Sequence, residues 1–213
     1  MRRLLAAGLC LVFAGLCACG QAEVETTTQT ITTEAPIQAP ISYEGVPEGY
    51  WALLNEHRLI MLSAESYIPQ YGYAVVDIND DGIPELLLGS ADGLNVASPH
   101  SVFTLKDDEP VLLTSFWSRS RGTISADGTI YNVGSGGAAY TYLSSYRLEA
   151  NADTLTLLTS MGSDYSSEDN MPYYVKIVDG KRSFIPQSEF WDYSSMYSDP
   201  PNPMKLTVIP ITS

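Results

Sequence analysis

Cysteine is missing from almost the whole of this 213-residue chain: Cys10, Cys17 and Cys19 are the only three, all near the start. Whatever folds downstream has no disulfide framework and must be held by its own core. Histidine is nearly as scarce. His57 and His100 stand far apart with no cysteine nearby, so the close His/Cys spacing of a zinc site is absent. Basic residues are few, 11 Lys and Arg against 25 Asp and Glu, for a formal charge of −14. Without clustered cations nothing displaces counterions from a phosphate backbone, which excludes nucleic acid as a partner. The same charge repels anionic lipid headgroups. No Gly-x-Ser-x-Gly elbow occurs, and Gly134-Ser135-Gly136-Gly137 has the spacing of a turn or bulge between strands. His57 falls on the apolar face of a helical pattern and reads as a packing residue. His100 follows Pro99 in a loop. No acid–base pair stands out among the 25 carboxylates. The expectation is a protein that is not an enzyme.

What is present begins at the N-terminus. Met1-Arg2-Arg3 precedes an apolar run from Leu4 to Leu16, about 13 residues against the roughly 20 a spanning helix needs. A positive start followed by such a run is the layout of a secretory leader. Leu16-Cys17-Ala18-Cys19 resembles the lipobox of bacterial lipoproteins. The resemblance implies cleavage after Ala18, a diacylglycerol on Cys19, and a chain held at the outer face of the cytoplasmic membrane. Loss of Arg2 and Arg3 with leader 1–18 takes the charge from −14 to −16.

From Cys19 to Ser42 the chain is rich in Thr, Glu, Gln, Ala and Pro, as in Glu25-Thr26-Thr27-Thr28-Gln29-Thr30. With little apolar surface to offset ordering entropy, it reads as a disordered tether reaching roughly 25–29 Å. Residues 43–213 are enough for one domain. The apolar spacing of Trp51, Leu54, Arg58 and Leu62, widened by Tyr50, Leu53, His57, Ile60 and Met61, predicts a helix over 48–66. Tyr73–Ile78 and Glu85–Leu88 are apolar on both alternating faces, as central strands are. Asp107-Asp108, Asp127-Gly128, Asn151-Ala152-Asp153 and Asp179-Gly180 mark hairpin turns between later strands such as Thr154–Leu158 and Tyr173–Val178. Ser188 is expected to cap a short helix through Tyr197, halted before Pro200, and Lys205–Ile211 to close the sheet as a last strand. The class is α+β: a mostly antiparallel, hairpin-connected sheet with one N-terminal and one short C-terminal helix.

The most informative stretch is Asp77-Ile78-Asn79-Asp80-Asp81-Gly82-Ile83-Pro84-Glu85. Oxygen-bearing side chains at alternate positions point inward on a tight turn, a glycine permits the bend, and the next carbonyl adds an oxygen. Hard oxygen donors without a nearby thiol or imidazole suit calcium. An EF-hand carries its bidentate glutamate at position 12; here that position is Leu88, and the acid stands earlier, at Glu85. The pattern resembles the strand–loop–strand calcium loops of FG-GAP and VCBS-type repeats, and more loosely an EF-hand loop. Together with the lipobox and tether it resembles uncharacterised lipoproteins of Gram-positive bacteria. The resemblance implies calcium ligands at Asp77, Asn79, Asp81 and Glu85, with the Ile83 carbonyl, while Asp80 points outward. The bare alternative is a turn closed by Asx hydrogen bonds.

All 14 tyrosines lie beyond the tether. Tyr140, Tyr142 and Tyr146 are expected to share one face of a strand, and Trp191, with Trp117, Tyr193 and Tyr197, adds to the stock. Such rings stack on sugars or line protein interfaces, and equally serve as core-edge residues. Acidic Ser163–Asn170 reads as a solvated loop, with a second ion site as the alternative. The expectation is a calcium-stabilised domain, anchored to the membrane, that binds a glycan, a cell-wall polymer or a protein. A wall-acting hydrolase with acidic residues not picked out here, and a purely structural lipoprotein, are the other readings.

Overall fold

The computed structural model describes residues 42–63, 70–137, 140–165, 168, 171–200 and 202–211. The expected leader, Cys19 and the tether up to residue 41 lie outside them, as do the last three positions of the expected 48–66 helix. Among the described residues, no helix is long and apolar enough to cross a membrane.

The chain enters through a 3-10 turn, Glu48–Tyr50, that continues as helix α1, Trp51–Ser63. Tyr50 and Leu54 from this segment are wholly buried. Strands β1 (Tyr71–Val76) and β2 (Glu85–Ser90) follow as an antiparallel pair; β1 begins and ends two residues before the apolar run Tyr73–Ile78, leaving Asp77 and Ile78 to the loop, and β2 runs two residues beyond Leu88. A five-residue helix, α2 (Ala91–Asn95), comes next, capped by Ser90, whose hydroxyl accepts from Gly93 N–H at 3.1 Å. It is too short to leave a periodic signal. Strands β3 (Ser101–Lys106) and β4 (Glu109–Ser115) complete the first sheet on one side. Its other edge is β11, only Ile209–Pro210 of the seven residues expected, paired to Gly72 and Tyr73.

Six further strands form a second antiparallel sheet. They are β5 (Ser120–Ile124), β6 (Ile130–Ser135), β7 (Thr141–Leu148), β8 (Leu155–Tyr165), β9 (Pro172–Val178) and β10 (Lys181–Ile185), neighbouring one another in chain order. The turn signals fall where expected: Asp107, Asp108, Gly128, Asn151, Asp179 and Gly180 all adopt positive φ. Asp, Asn and Gly tolerate that conformation and so set the hairpins. Helix α3 spans Gln187–Ser198 with Pro186 at its N-cap and no side-chain cap. Ser188 therefore lies inside the helix, because Pro186 fixes the backbone at the entry two positions earlier.

The fold is α+β and dominated by antiparallel strands, divided into two sheets where the alternation alone suggested one. Its core has three parts. Tyr50 and Leu54 pack on Tyr73, Leu86 and Leu88 of the first sheet. The opposite face of that sheet, through Ala74, Leu87 and Val102, meets Ile124 and Ile130 of the second. On the second sheet's other face, Phe190 and Tyr197 of α3 cover Leu143, Met161 and Tyr174. The β1–β2 pair is apolar on both faces because it lies between α1 and the second sheet.

Candidate functional site

The loop between β1 and β2 is built by its own side chains. Asp77 accepts from Asp81 N–H at 3.2 Å and from Gly82 N–H at 2.8 Å through its two carboxylate oxygens. Asn79 Oδ1 accepts from Asp81 N–H at 3.3 Å, and Asp81 Oδ1 from Ile83 N–H at 2.8 Å. Asp80 and Gly82 take positive φ, 58° and 88°, which winds the loop tightly enough for these contacts. Asp77, Asn79 and Asp81 thus all turn into the loop, as their spacing predicts.

Glu85 behaves differently. It is fully buried, with Oε2 accepting from Ile78 N–H at 2.9 Å and Oε1 from the Thr104 hydroxyl at 3.0 Å. Burial pushes its pKa up from 4.5 to about 7, against the pull of those two hydrogen bonds, and the charges of Asp81 and Asp77 add to the rise. Burial also acts to raise Asp81. Hydrogen bonds from Asn151 N–H, Ile83 N–H and the Asn79 amide outweigh it and hold that carboxyl below its ordinary range. Among the described residues, no three Asp, Glu, His or Cys side chains converge into a metal-holding group. The acids of the loop are engaged elsewhere: Asp81 with the Asn79 amide, at 2.9 Å, and Glu85 with the core.

The loop also reaches the second sheet. Asn79 Nδ2 donates to the Glu149 carbonyl at 3.1 Å, and Asn151 N–H donates to Asp81 Oδ2 at 2.7 Å. The β5–β6 turn presses against the same place, where a Cβ on Gly128 would stand 2.3 Å from the Ile78 carbonyl. An exposed ion pair, Lys106–Asp153, ties the β3–β4 turn to the β7–β8 turn as well. Four turns from two sheets therefore meet at one pole.

A second feature lies on the second sheet, on the face that meets the first sheet at β5–β7. Alternation puts Tyr142, Ser160, Gly162, Asp164, Tyr173, Val175, Ile177, Arg182 and Phe184 on that face, away from α3. Beyond the overlap of the sheets, this face is open and forms a groove of about 360 Å³. The Tyr142 ring lies over Gly134 of β6, where a Cβ would fall 1.9 Å from the ring's Cζ. At the floor a Cβ on Gly162 would meet only one atom, the Thr141 carbonyl oxygen, at 3.8 Å. On the far wall Tyr173 donates to Asp164 at 3.0 Å and packs edge-on to Phe184 at 6.0 Å, while the Arg182 guanidinium sits 5.6 Å from the Phe184 ring centroid.

The four aromatics singled out from the sequence do not share one site. Tyr142 lines the groove. Tyr146 points to the same face but packs into the core between the sheets. Tyr140 is exposed in the turn before β7. Trp191 is half exposed on α3, edge-on to Phe190 and Tyr174, behind the sheet. Trp117 is exposed at the tight turn paired to Ser120, while Tyr193 and Tyr197 pack from α3 onto the second sheet. Asp164, expected in a solvated loop, instead lies on β8, which runs on through Tyr165, and it lines the groove with Tyr173 and Arg182; Phe184 flanks them on β10. Their signal was the alternation flanking Asp179-Gly180, which tells faces apart but not which face is covered. The two histidines converge on one ring: His57 stacks on Tyr71 at 6.1 Å, and the Tyr71 hydroxyl lies 3.2 Å from His100 Nδ1. Burial lowers the His57 pKa, in keeping with a packing residue. Glu85 lines neither the groove nor the two smaller concavities beside Tyr197 and Tyr43. Compared with family models, curated proteins and solved structures, the chain matches none.

Proposed function

We propose that this chain is an exported lipoprotein, held by a diacylglycerol on Cys19 at the outer face of the cytoplasmic membrane. Its domain binds a glycan, a cell-wall polymer or a protein there without turning it over. The observation that carries the binding reading is the open groove. It combines aromatic rings with a carboxylate and a guanidinium, at a volume in the range of small-ligand sites. Purified full-length protein mixed with isolated envelope fractions is expected to be retained on them and to leave them chemically unchanged. Absence of retention, with calcium and with chelator alike, would overturn the binding reading, and release of soluble fragments would favour a hydrolase.

Calcium is the second part of the proposal. Asp77, Asn79 and Asp81 supply hard oxygens from one turn, Ile83 has a carbonyl next in order, and Glu85 follows at the start of β2. This donor set fits calcium by chemistry, provided Glu85 ionises and turns from Thr104 toward the loop. The ion would neutralise crowded carboxylates and so fasten the β1–β2 connection. At roughly tenfold excess over its Kd it would add about 1.4 kcal/mol of stability, a useful share of a total of about 5–15 kcal/mol.

A further inference from the structure

We infer, on the basis of the binding reading above, that the groove on the second sheet takes an uncharged glycan, with Tyr142 as its stacking platform and Arg182 and Asp164 as its polar contacts.

Size comes first. At about 360 Å³ the groove stands at the lower end of the roughly 300–1,000 Å³ typical of small-ligand sites. A protein partner needs about 800 Å² of surface on each side, far more than this concavity offers. Backbone accounting disfavours an extended peptide. Peptides that join sheets are held by main-chain hydrogen bonds at an edge. The groove floor is β8, already paired on both sides to β7 and β9. The free edge belongs to β10, at the side of the groove rather than within it.

Chemistry and charge narrow the class further. The lining holds one carboxylate, Asp164, and one guanidinium, Arg182, nearly cancelling within a chain of charge −14. An anionic ligand would meet Asp164 and the field of the whole molecule, and a cation would meet Arg182. A neutral polyol meets neither penalty. Carboxylate oxygens accept and guanidinium nitrogens donate within their own planes, an arrangement matched to adjacent sugar hydroxyls. The Tyr142 ring lies against Gly134 of β6 and lines the groove, where an aromatic surface can receive the apolar C–H face of a sugar. Gly162 leaves the floor without a side chain, which gives such a ring room to settle.

Saturation-transfer NMR on the full-length protein tests this with cellotriose, maltotriose and diacetylchitobiose as neutral probes, and oligogalacturonate as an anionic one. At least one neutral probe is expected to receive magnetisation from aromatic protons, and oligogalacturonate none. Phe184→Ala and Tyr142→Ala should weaken binding roughly two- to tenfold, and Arg182→Ala roughly tenfold or more. Phe184 is 73% exposed, so its variant keeps the fold even where Tyr142→Ala does not. Trp191→Ala, behind the sheet, should bind normally. Binding lost in Trp191→Ala but kept in the groove variants overturns the assignment of the site. Preference for oligogalacturonate, or envelope retention that depends on Phe184 while no neutral probe binds, overturns the ligand class and leaves the broader binding reading standing. Failure of both probes and envelope fractions removes the two together.

Discussion

Replacing Glu85 by glutamine is the sharpest test of the physical picture. Glu85 is fully buried, and its pKa is raised from 4.5 to about 7, first by burial. A carboxyl whose folded pKa lies above its unfolded one binds its proton more tightly when folded. Stability is therefore greatest below the unfolded value, falls as pH climbs from 4.5 toward 7, and is level above that window. The shift corresponds to about 3 kcal/mol between the two plateaus. Glutamine has the same shape. Its carbonyl can accept from Ile78 N–H, and its amide can donate to the Thr104 hydroxyl, so the substitution removes the charge and leaves the contacts. Urea unfolding of the full-length protein in EDTA should show wild type losing about 3 kcal/mol between pH ~4 and ~8, and Glu85→Gln losing much less. At the higher pH the variant should be the more stable of the two. Addition of calcium should reverse that order, since wild type keeps a carboxylate ligand and the variant does not. A wild-type curve flat across this window in EDTA, or a variant no more stable at high pH, would refute the buried, desolvated carboxylate.

Other perturbations reach other parts of the argument. Asp81→Ala removes the acceptor of Ile83, Asn79 and Asn151; it should lower stability by about 1–3 kcal/mol and abolish any rise in Tm on calcium addition. An unchanged calcium response in that variant would return the loop to a plain Asx turn. Gly134→Val drives a side chain into the Tyr142 ring; a loss of about 1–3 kcal/mol in urea unfolding is expected, and a neutral result would mean the ring does not rest there. Cys19→Ala should release the protein into the medium or block processing of its leader, read by fractionation and mass spectrometry. Membrane retention equal to wild type would count against the lipid anchor.

Features governed by nearest neighbours were legible in the chain. Asp107-Asp108 and Asp179-Gly180 specify tight turns because short polar side chains and glycine accept positive φ wherever they occur. The inward turn of Asp77, Asn79 and Asp81 follows the same local logic. Features set by distant partners were not. Glu85 faces the core because β2 and β3 bring Thr104 to it, 19 residues away, and nothing in the local sequence distinguishes that from a glutamate facing its loop. The groove was hidden for a related reason. Tyr173, Val175 and Ile177 alternate like any half-buried strand, and only the partial overlap of the two sheets leaves their face open. The short β11 shows tertiary override in the other direction: of seven strand-like residues only Ile209 and Pro210 pair with β1, at Tyr73 and Gly72, with Ile211 N–H donating to the Tyr71 carbonyl just beyond.

The position of the Asp81 loop has a bearing on where the molecule becomes fully itself. Its contacts with Glu149 and Asn151 make it a rivet between the two sheets rather than a clip on one hairpin. On the calcium reading, an ion in the loop would reinforce those contacts in surroundings rich in it. Such surroundings lie beyond the cytoplasm, so translocation and final consolidation would coincide. On the export reading, a seam reinforced only after translocation would suit a chain that crosses a membrane unfolded.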